Sequence, residues 1–267
     1  MTSAKIPRIG LGTWENTDPK QCPKTVANAL EMGYRMIDTA QMYNNEELVG
    51  KGIRMAEVPR EEITLATKIW FSDLSSDDIQ ESTRGSLDRL DVDYVDLLYV
   101  HWPAESYDAT DTLPALAGLA DEGLVREVAV SNFTPELMDE ALRECPKPVV
   151  ADQVEMHPLL RQEELHKYLV EHDIHLVAYS PLARGRVMDV PELTEIAGKH
   201  DISEAQVSLA WLLSKEMVTP IPKATSEDHL RQNIEALDIT LDAEDIEKID
   251  SLSRLRRMID PSFAPDW

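Results

Sequence analysis

Four side chains suited to acid–base chemistry lie at or just after the ends of consecutive apolar runs. Asp38, Lys68 and His101 each end one run, and Tyr43 follows Asp38 by five residues. A tyrosine hydroxyl has an ordinary pKa near 10, which is too high for easy proton exchange at neutral pH. A neighbouring ammonium lowers that pKa, and a carboxylate holds the ammonium in place and charged. The set predicts a tyrosine that protonates the oxyanion formed when a carbonyl accepts hydride.

Taken singly, these residues have ordinary structural explanations. Asp38 and Lys68 could form a buried ion pair, and His101 could be a hydrogen-bonded imidazole in the core. Four such groups at one edge of the fold favour a functional site over four separate structural roles.

Short β-rich apolar runs alternate with stretches of helical period along the chain. Helix starts are indicated at Asp18-Pro19, at Thr134-Pro135, at Ser226 and at a capping box formed by Ser203 and Gln206. The remaining helices are expected near residues 46–55, from 76, at 113–121 and at 162–171. The predicted strands are residues 6–12, 34–39, 63–69, 94–101, 125–131, 149–153, 174–179 and 218–223.

Eight strand–helix units in about 250 residues predict a parallel (β/α)₈ barrel, with residues 1–267 as one domain. The alternative is a doubly wound sheet, but residues 10–15 lack the third glycine of GxGxxG. Residues 254–267 are irregular and proline-bearing, and are expected to pack over the barrel. In a barrel, function gathers where strands end. The residues closing the eight strands are Thr13, Asp38, Lys68, His101, Ser131 with Asn132, Gln153, Tyr179 and Lys223.

The composition excludes two classes of partner. The 267 residues include 26 Lys+Arg and 50 Asp+Glu, a formal charge of −24, which argues against binding to nucleic acid or anionic membranes. No apolar stretch is long enough to span a bilayer, and the first ten residues do not resemble a signal peptide. A cytoplasmic protein, acting as a monomer, is expected. Cys22 and Cys145 have no CxxC partner, and His166, His172 and His175 have no companions at ligand spacing, so no metal site is predicted.

The acidic residues are dispersed rather than gathered in one tail, which favours an acid-coated protein from a cell with a salt-rich cytoplasm. Salt at molar concentration screens charge within about 3 Å. We therefore expect the midpoint of thermal unfolding to be higher in molar KCl than in dilute buffer. Equal midpoints in the two solutions would contradict this interpretation.

Residues 33–46, GYRMIDTAQMYNNE, resemble the GYRxIDTAxxYxNE signature of the aldo-keto reductases. The resemblance continues in order through most of the chain, and the short prokaryotic branch that includes 2,5-diketo-D-gluconate reductases is the most similar. Its further motifs are residues 67–70 (TKIW), 101–103 (HWP), 130–133 (VSNF), 153–158 (QVEMHP), 178–182 (AYSPL) and 221–223 (IPK).

The resemblance implies NAD(P)H-dependent reduction of aldehydes or ketones, including keto-sugars. Tyr43 would be the general acid, Lys68 and Asp38 would tune it, and His101 would orient the carbonyl. Ser131, Asn132 and Gln153 would hold the nicotinamide carboxamide, and Tyr179 would stack on the ring. Further cofactor contacts are implied at Thr13, Ser180 and Leu182, and the substrate mouth at Trp14, Met42, Trp70 and Trp102.

The far end of the cofactor is expected at a helix N-terminus, where Lys223, Thr225 and Ser226 would receive the 2′-phosphate of NADPH. His229 replaces an arginine that is common in relatives, and a neutral imidazole weakens the preference for NADPH. NADH or dual use is the alternative. Asn233 matches the adenine contact of the family.

Other functions remain open at this level. The same site could work mainly as an alcohol or sugar dehydrogenase, the protein could be a nucleotide-sensing regulatory subunit with little turnover, or it could be a barrel without a cofactor.

Relatives also carry a longer lead that forms a hairpin plugging the barrel bottom. Only Met1–Lys5 precede the first predicted strand here, so the sequence does not decide whether a hairpin plugs the barrel bottom.

Overall fold

Within residues 6–267, eight parallel strands form the centre of the protein, and each strand pairs with the next one along the chain. The computed structural model describes residues 6–267, so the expectation about a plug, which concerns residues 1–5, lies outside the described residues. The strands are β1 (Leu11–Gly12), β2 (Met36–Asp38), β3 (Thr64–Ile69), β4 (Val95–Val100), β5 (Val125–Ser131), β6 (Val149–Glu155), β7 (His175–Tyr179) and β8 (Val218–Pro220).

The sheet closes on itself where its first and last strands meet. The amide of Gly10 donates to the carbonyl of Pro220 at 3.0 Å, and that of Gly12 to the carbonyl of Pro222 at 3.2 Å. A side chain at Gly12 would place its Cβ 2.6 Å from the Ile221 carbonyl oxygen, so only glycine allows this approach. The prediction of a (β/α)₈ barrel is confirmed.

The two strands at the closure are shorter than the sequence predicted. The apolar run 6–12 yields only β1, and the run 218–223 yields only β8. Pro7, Pro220 and Pro222 carry no backbone N–H, so each lacks the donor that the parallel ladder needs, and β8 ends at Pro220.

Helices follow the strands, and three of the four predicted caps are present. The fourth prediction, a helix start at Asp18-Pro19, is wrong by about two residues, because the first helix begins at Gln21, although Asp18 accepts hydrogen bonds from the amides of Lys20 and Gln21. The Ser203 hydroxyl and Gln206 form a reciprocal capping box, and the hydroxyls of Thr134 and Ser226 each accept a backbone N–H of the first helical turn. Two helices rather than one lie between β7 and β8. The helices are α1 (Gln21–Glu31), α2 (Glu46–Met55), α3 (Ile79–Leu90), α4 (Ala109–Asp121), α5 (Pro135–Glu144), α6 (Glu163–Glu171), α7 (Pro191–His200), α8 (Glu204–Leu213), α9 (Glu227–Glu235) and α10 (Ala243–Asp250).

The core has two layers because side chains alternate along each strand. In β4, Leu97 and Tyr99 point into the barrel, whereas Leu98 and Val100 pack outward against the helices. Within residues 6–267, no helix is both long enough and apolar enough to span a membrane.

Residues 254–267, the C-terminal strap, are irregular and cross over the barrel, as predicted. The Phe263 ring lies 4.7 Å from Phe71 and 5.4 Å from Trp102, measured between ring centroids. The strap therefore contributes apolar surface to the end of the barrel where the strands finish.

Candidate active site

A cavity of about 600 Å³ opens at the carboxyl ends of the strands. It brings together most of the residues selected from the sequence, whereas Lys68 lies beneath its wall. The predicted site residues that line it are Thr13, Trp14, Asp38, Met42, Tyr43, Trp70, His101, Trp102, Ser131, Asn132, Gln153, Tyr179, Ser180, Leu182 and Lys223.

The alternation of side chains explains why these residues converge. A residue two positions beyond an interior core residue also points into the barrel, and at the end of a strand it lies at the cavity or, as Lys68 does, just beneath its wall. The barrel's own geometry thus gathers residues distant in sequence. The pairs are Met36 and Asp38, Ala66 and Lys68, Tyr99 and His101, Ala129 and Ser131, Ala151 and Gln153, Val177 and Tyr179, and Ile221 and Lys223.

Lys68 is fully buried and links the other acid–base groups. Its ammonium donates to Asp38 Oδ1 at 2.5 Å, to the Thr39 carbonyl at 2.8 Å and to the Tyr43 hydroxyl at 3.4 Å. Asp38 Oδ2 accepts from Gln153 Nε2 at 2.7 Å. Burial raises the pKa of Asp38 and lowers that of Lys68, while their ion pair opposes both shifts. With both carboxylate oxygens accepting hydrogen bonds, the charged pair is the form that the geometry satisfies.

The pKa of Tyr43 moves opposite to the sequence-based expectation. Burial, followed by the nearby Asp38 carboxylate, raises it well above the ordinary value of tyrosine. The expectation of a net lowered pKa is wrong because it left out desolvation of the phenolate, which is the largest cause of the shift. Tyr43 is consequently held in its protonated form, which is the form that can donate a proton.

His101 lies beside Tyr43, with ring centroids 5.9 Å apart, and against Trp70, at 5.0 Å. Burial, followed by the Lys68 ammonium, lowers the pKa of its imidazole well below the ordinary value, so the ring is neutral at neutral pH. Nδ1 is buried without a partner among the described residues, which leaves Nε2 as the nitrogen available to the cavity.

One hydrogen-bond network joins the residues expected to hold nicotinamide. Tyr179 Oη donates to Asn132 Oδ1 at 2.8 Å, Asn132 Nδ2 donates to Ser131 Oγ at 3.0 Å, and Ser131 Oγ donates to the Gln153 carbonyl at 2.7 Å. Asn132 also donates to the His101 carbonyl at 3.0 Å. These side chains are therefore fixed in position relative to His101.

The residues expected at the far end of the cofactor separate into two groups. Lys223 lines the cavity, whereas Thr225, Ser226, His229 and Asn233 lie outside it, at or within α9. Ser226 caps α9 by accepting from the His229 amide at 3.2 Å, and the His229 side chain is exposed. The residues expected to bind the far end of the cofactor therefore lie in two places, the cavity wall at Lys223 and the N-terminal part of α9, which is close to Lys223 in sequence.

The substrate mouth contains residues that the sequence did not single out. Trp14 stands 5.0 Å from Tyr43 between ring centroids and is 36% exposed, whereas Trp102 is 5% exposed. Nothing in the local sequence of the strap indicates that it reaches this cavity, apart from the apolar residues among its prolines. The lining residues missed from the sequence include Glu15, Arg184, Ile259, Pro261 and Phe263.

Glu155, at the end of β6, anchors the strap. Its carboxylate is fully buried and accepts from the amide of Met258 at 2.7 Å, from that of Ile259 at 2.8 Å and from His157 Nε2 at 2.8 Å. His157, expected to be structural, is also fully buried. The anchor fixes the stretch of strap that leads to Phe263.

We expect Glu155→Gln to weaken substrate binding by loosening the strap. An amide group cannot accept at both positions, and a hydrogen bond to a charged group contributes about 1.5–3 kcal/mol. The KM for a carbonyl substrate should rise about tenfold, since 1.4 kcal/mol corresponds to a factor of ten. The dissociation constant for nucleotide should stay unchanged.

Glu171→Gln is the matched control, because Glu171 is exposed at the end of α6. An unchanged KM in Glu155→Gln, measured in folded protein, would show that the strap does not shape the substrate site.

The three histidines considered as metal ligands lie in separate places. His166 contacts the Glu216 carbonyl, His172 the Tyr168 carbonyl and His175 the Thr219 hydroxyl, each at 2.8 Å. Among the described residues, a different group, His200 with Asp242 and Asp245, brings three donor atoms together. The Lys199 ammonium pairs with both of those carboxylates, at 2.5 and 2.9 Å, so the geometry is that of an ion-pair cluster.

Comparisons with known proteins agree with this architecture. Methylglyoxal reductase DkgB of Escherichia coli O157:H7 is 38% identical over 266 residues, which cover 98% of this chain and 99% of the relative. Glyoxal reductase of Bacillus subtilis (strain 168) is 39% identical over 254 residues, covering 95% of this chain and 91% of the relative. A solved structure provisionally described as 2,5-diketo-D-gluconic acid reductase B superposes with a TM-score of 0.94 at 34% identity, covering 99% of this chain and 94% of that one. The model of the Aldo/keto reductase family matches residues 8–254, and the chain belongs to that family.

Proposed function

We propose that the protein reduces aldehydes and ketones to alcohols with NADPH, and that Tyr43 donates the proton. The observation that supports this most strongly is the position of the Tyr43 hydroxyl, which faces the cavity 3.4 Å from the Lys68 ammonium and beside the neutral His101 ring. The relatives named as methylglyoxal and glyoxal reductases support the same class of reaction.

The cavity has groups that fit a nicotinamide dinucleotide. Ser131, Asn132 and Gln153 offer hydroxyl and amide groups to a carboxamide, and the Tyr179 ring offers an aromatic face. Arg184 and Lys223 are cations suited to phosphate groups. When bound, this cofactor supplies the hydride that adds to the carbonyl carbon.

The chain's own residues handle the proton and the orientation of the carbonyl. Nε2 of the neutral His101 can donate a hydrogen bond to the carbonyl oxygen in the tautomer that carries the proton there. The Tyr43 O–H then transfers its proton to the oxygen as negative charge develops on it, leaving a phenolate. The Lys68 ammonium stabilises that phenolate, and Asp38 keeps Lys68 charged and in place.

The cofactor preference can be measured directly. We expect a lower KM for NADPH than for NADH in the same salt, because Lys223 and the N-terminus of α9 favour a further phosphate. His229→Arg should lower the KM for NADPH and leave that for NADH unchanged, since arginine pairs with phosphate at every pH. A lower KM for NADH in the unaltered protein would contradict the preference.

We further propose that the protein acts as a monomer in the cytoplasm of a cell with a salt-rich interior, as its charge of −24 suggests. The overall proposal is tested with a panel of carbonyl compounds and both cofactors at low and at molar salt. We expect stopped-flow measurements to detect oxidation of NADPH when the enzyme is mixed with a carbonyl compound from this panel. Nucleotide binding without oxidation by any carbonyl would favour a regulatory subunit instead.

A further inference from the structure

We infer that the carbonyl substrates of this site are uncharged, and that compounds carrying a carboxylate or phosphate are poor substrates. The inference rests on the proposed reductase function and concerns the same cavity. Neutral aldehydes, ketones and dicarbonyls are thus the expected substrates, and keto-acids are the expected poor substrates. The keto-acids include diketogluconate, which the resemblance to 2,5-diketo-D-gluconate reductases suggested as one possibility.

The distribution of positive charge in the cavity carries the argument. Among the described residues, only Arg184 and Lys223 provide lysine or arginine side chains to its wall, and they follow β7 and β8. A dinucleotide carries at least two phosphate charges, and the proposed function assigns both cations to them. No lysine or arginine of the described lining is left to pair with an anionic substrate.

The buried ammonium cannot take this role. Lys68 is fully buried, and its ammonium is already shared by the Asp38 carboxylate, the Thr39 carbonyl and the Tyr43 hydroxyl. Arg257 lines a second cavity, stacks over Trp267 at 3.6 Å and interacts electrostatically with the Glu155 carboxylate and, more weakly, with Tyr179. Neither Lys68 nor Arg257 lines the wall of the cavity that holds Tyr43.

The surroundings of Tyr43 are apolar and in part acidic. Trp14 and Trp70 flank Tyr43 and His101, and Phe263 packs on Trp70 and Trp102. The acidic side chain of Glu15, which is exposed, lines the same cavity. An anion entering this space loses its hydration without gaining a counter-charge, and Glu15 repels it. A small neutral carbonyl incurs neither cost.

A pair of substrates that differ in one charge tests the inference. We expect kcat/KM with NADPH to be about 100-fold higher for methyl 4-formylbenzoate than for 4-formylbenzoate, which corresponds to about 2.7 kcal/mol at 1.36 kcal/mol per tenfold. Equal values, or a preference for the carboxylate, would overturn the inference while leaving the reductase function intact. Absence of turnover with both compounds and with neutral dicarbonyls would overturn the reductase function and this inference together.

The Glu15→Gln variant tests the source of the selectivity. We expect the ratio of kcat/KM for the ester to kcat/KM for the carboxylate to fall by about threefold in dilute buffer. The fall should be smaller in molar KCl, where screening is strong. Glu57→Gln is the matched control, since Glu57 is an exposed acid away from the cavity, and it should leave the ratio unchanged. A Glu15→Gln variant with the unaltered ratio would overturn the assignment of Glu15 as a determinant of specificity.

Discussion

Tyr43→Phe should retain nucleotide binding and lose about three orders of magnitude in kcat. The substitution removes only the hydroxyl that we propose donates the proton, and general acid catalysis contributes about 10²–10⁴-fold. A thousandfold loss corresponds to about 4 kcal/mol of transition-state stabilisation. Single-turnover oxidation of NADPH, combined with nucleotide titration by tryptophan fluorescence, separates the chemical step from binding.

Tyr168→Phe provides the control for this substitution. Tyr168 lies on α6, and its hydroxyl donates to Asp139 on α5 at 2.6 Å, away from the cavity, so its removal should leave kcat unchanged. Near-normal turnover by Tyr43→Phe would refute the assignment of Tyr43 as the acid.

Lys68→Met should impair both stability and turnover. Removing one partner of a buried ion pair leaves an uncompensated charge, which costs about 3–5 kcal/mol of unfolding free energy. Asp38 is the charge left behind, since its side chain is only 2% exposed. Turnover should fall as well, because the phenolate that the proposed mechanism forms on Tyr43 loses its neighbouring cation. Urea unfolding and kcat measure the two effects separately.

A double variant distinguishes the structural role of Lys68 from its chemical role. Asp38→Asn combined with Lys68→Met removes both charges, so most of the lost stability should return while kcat stays low. Lys147→Met breaks an exposed pair with Asp121 and should cost at most about 1 kcal/mol. Recovery of turnover in the double variant would show that Lys68 acts only by neutralising Asp38.

The apolar runs predicted the barrel well because each is followed by a helical stretch, and that alternation leaves few topologies. The errors lie where proline or burial intervenes. β1 and β8 are short because prolines interrupt their ladders, and the direction of the Tyr43 pKa was missed because sequence spacing carries no measure of desolvation. The structure brings the selected groups close together, whereas the effect of burial on them was not predicted.

The sequence by itself determined which residues share the active end of the barrel. Strand periodicity and the rule that parallel strands end on one face were sufficient to bring Asp38, Lys68, His101 and Gln153 together. Only the tertiary structure decided what surrounds them. Phe263 reaches the cavity because Glu155 binds backbone amides about a hundred residues away, a contact that no local pattern encodes. The formal charge of −24 likewise says nothing of where charge lies, whereas folding places the two cations and the acid of the cavity wall and so sets the class of substrate we propose.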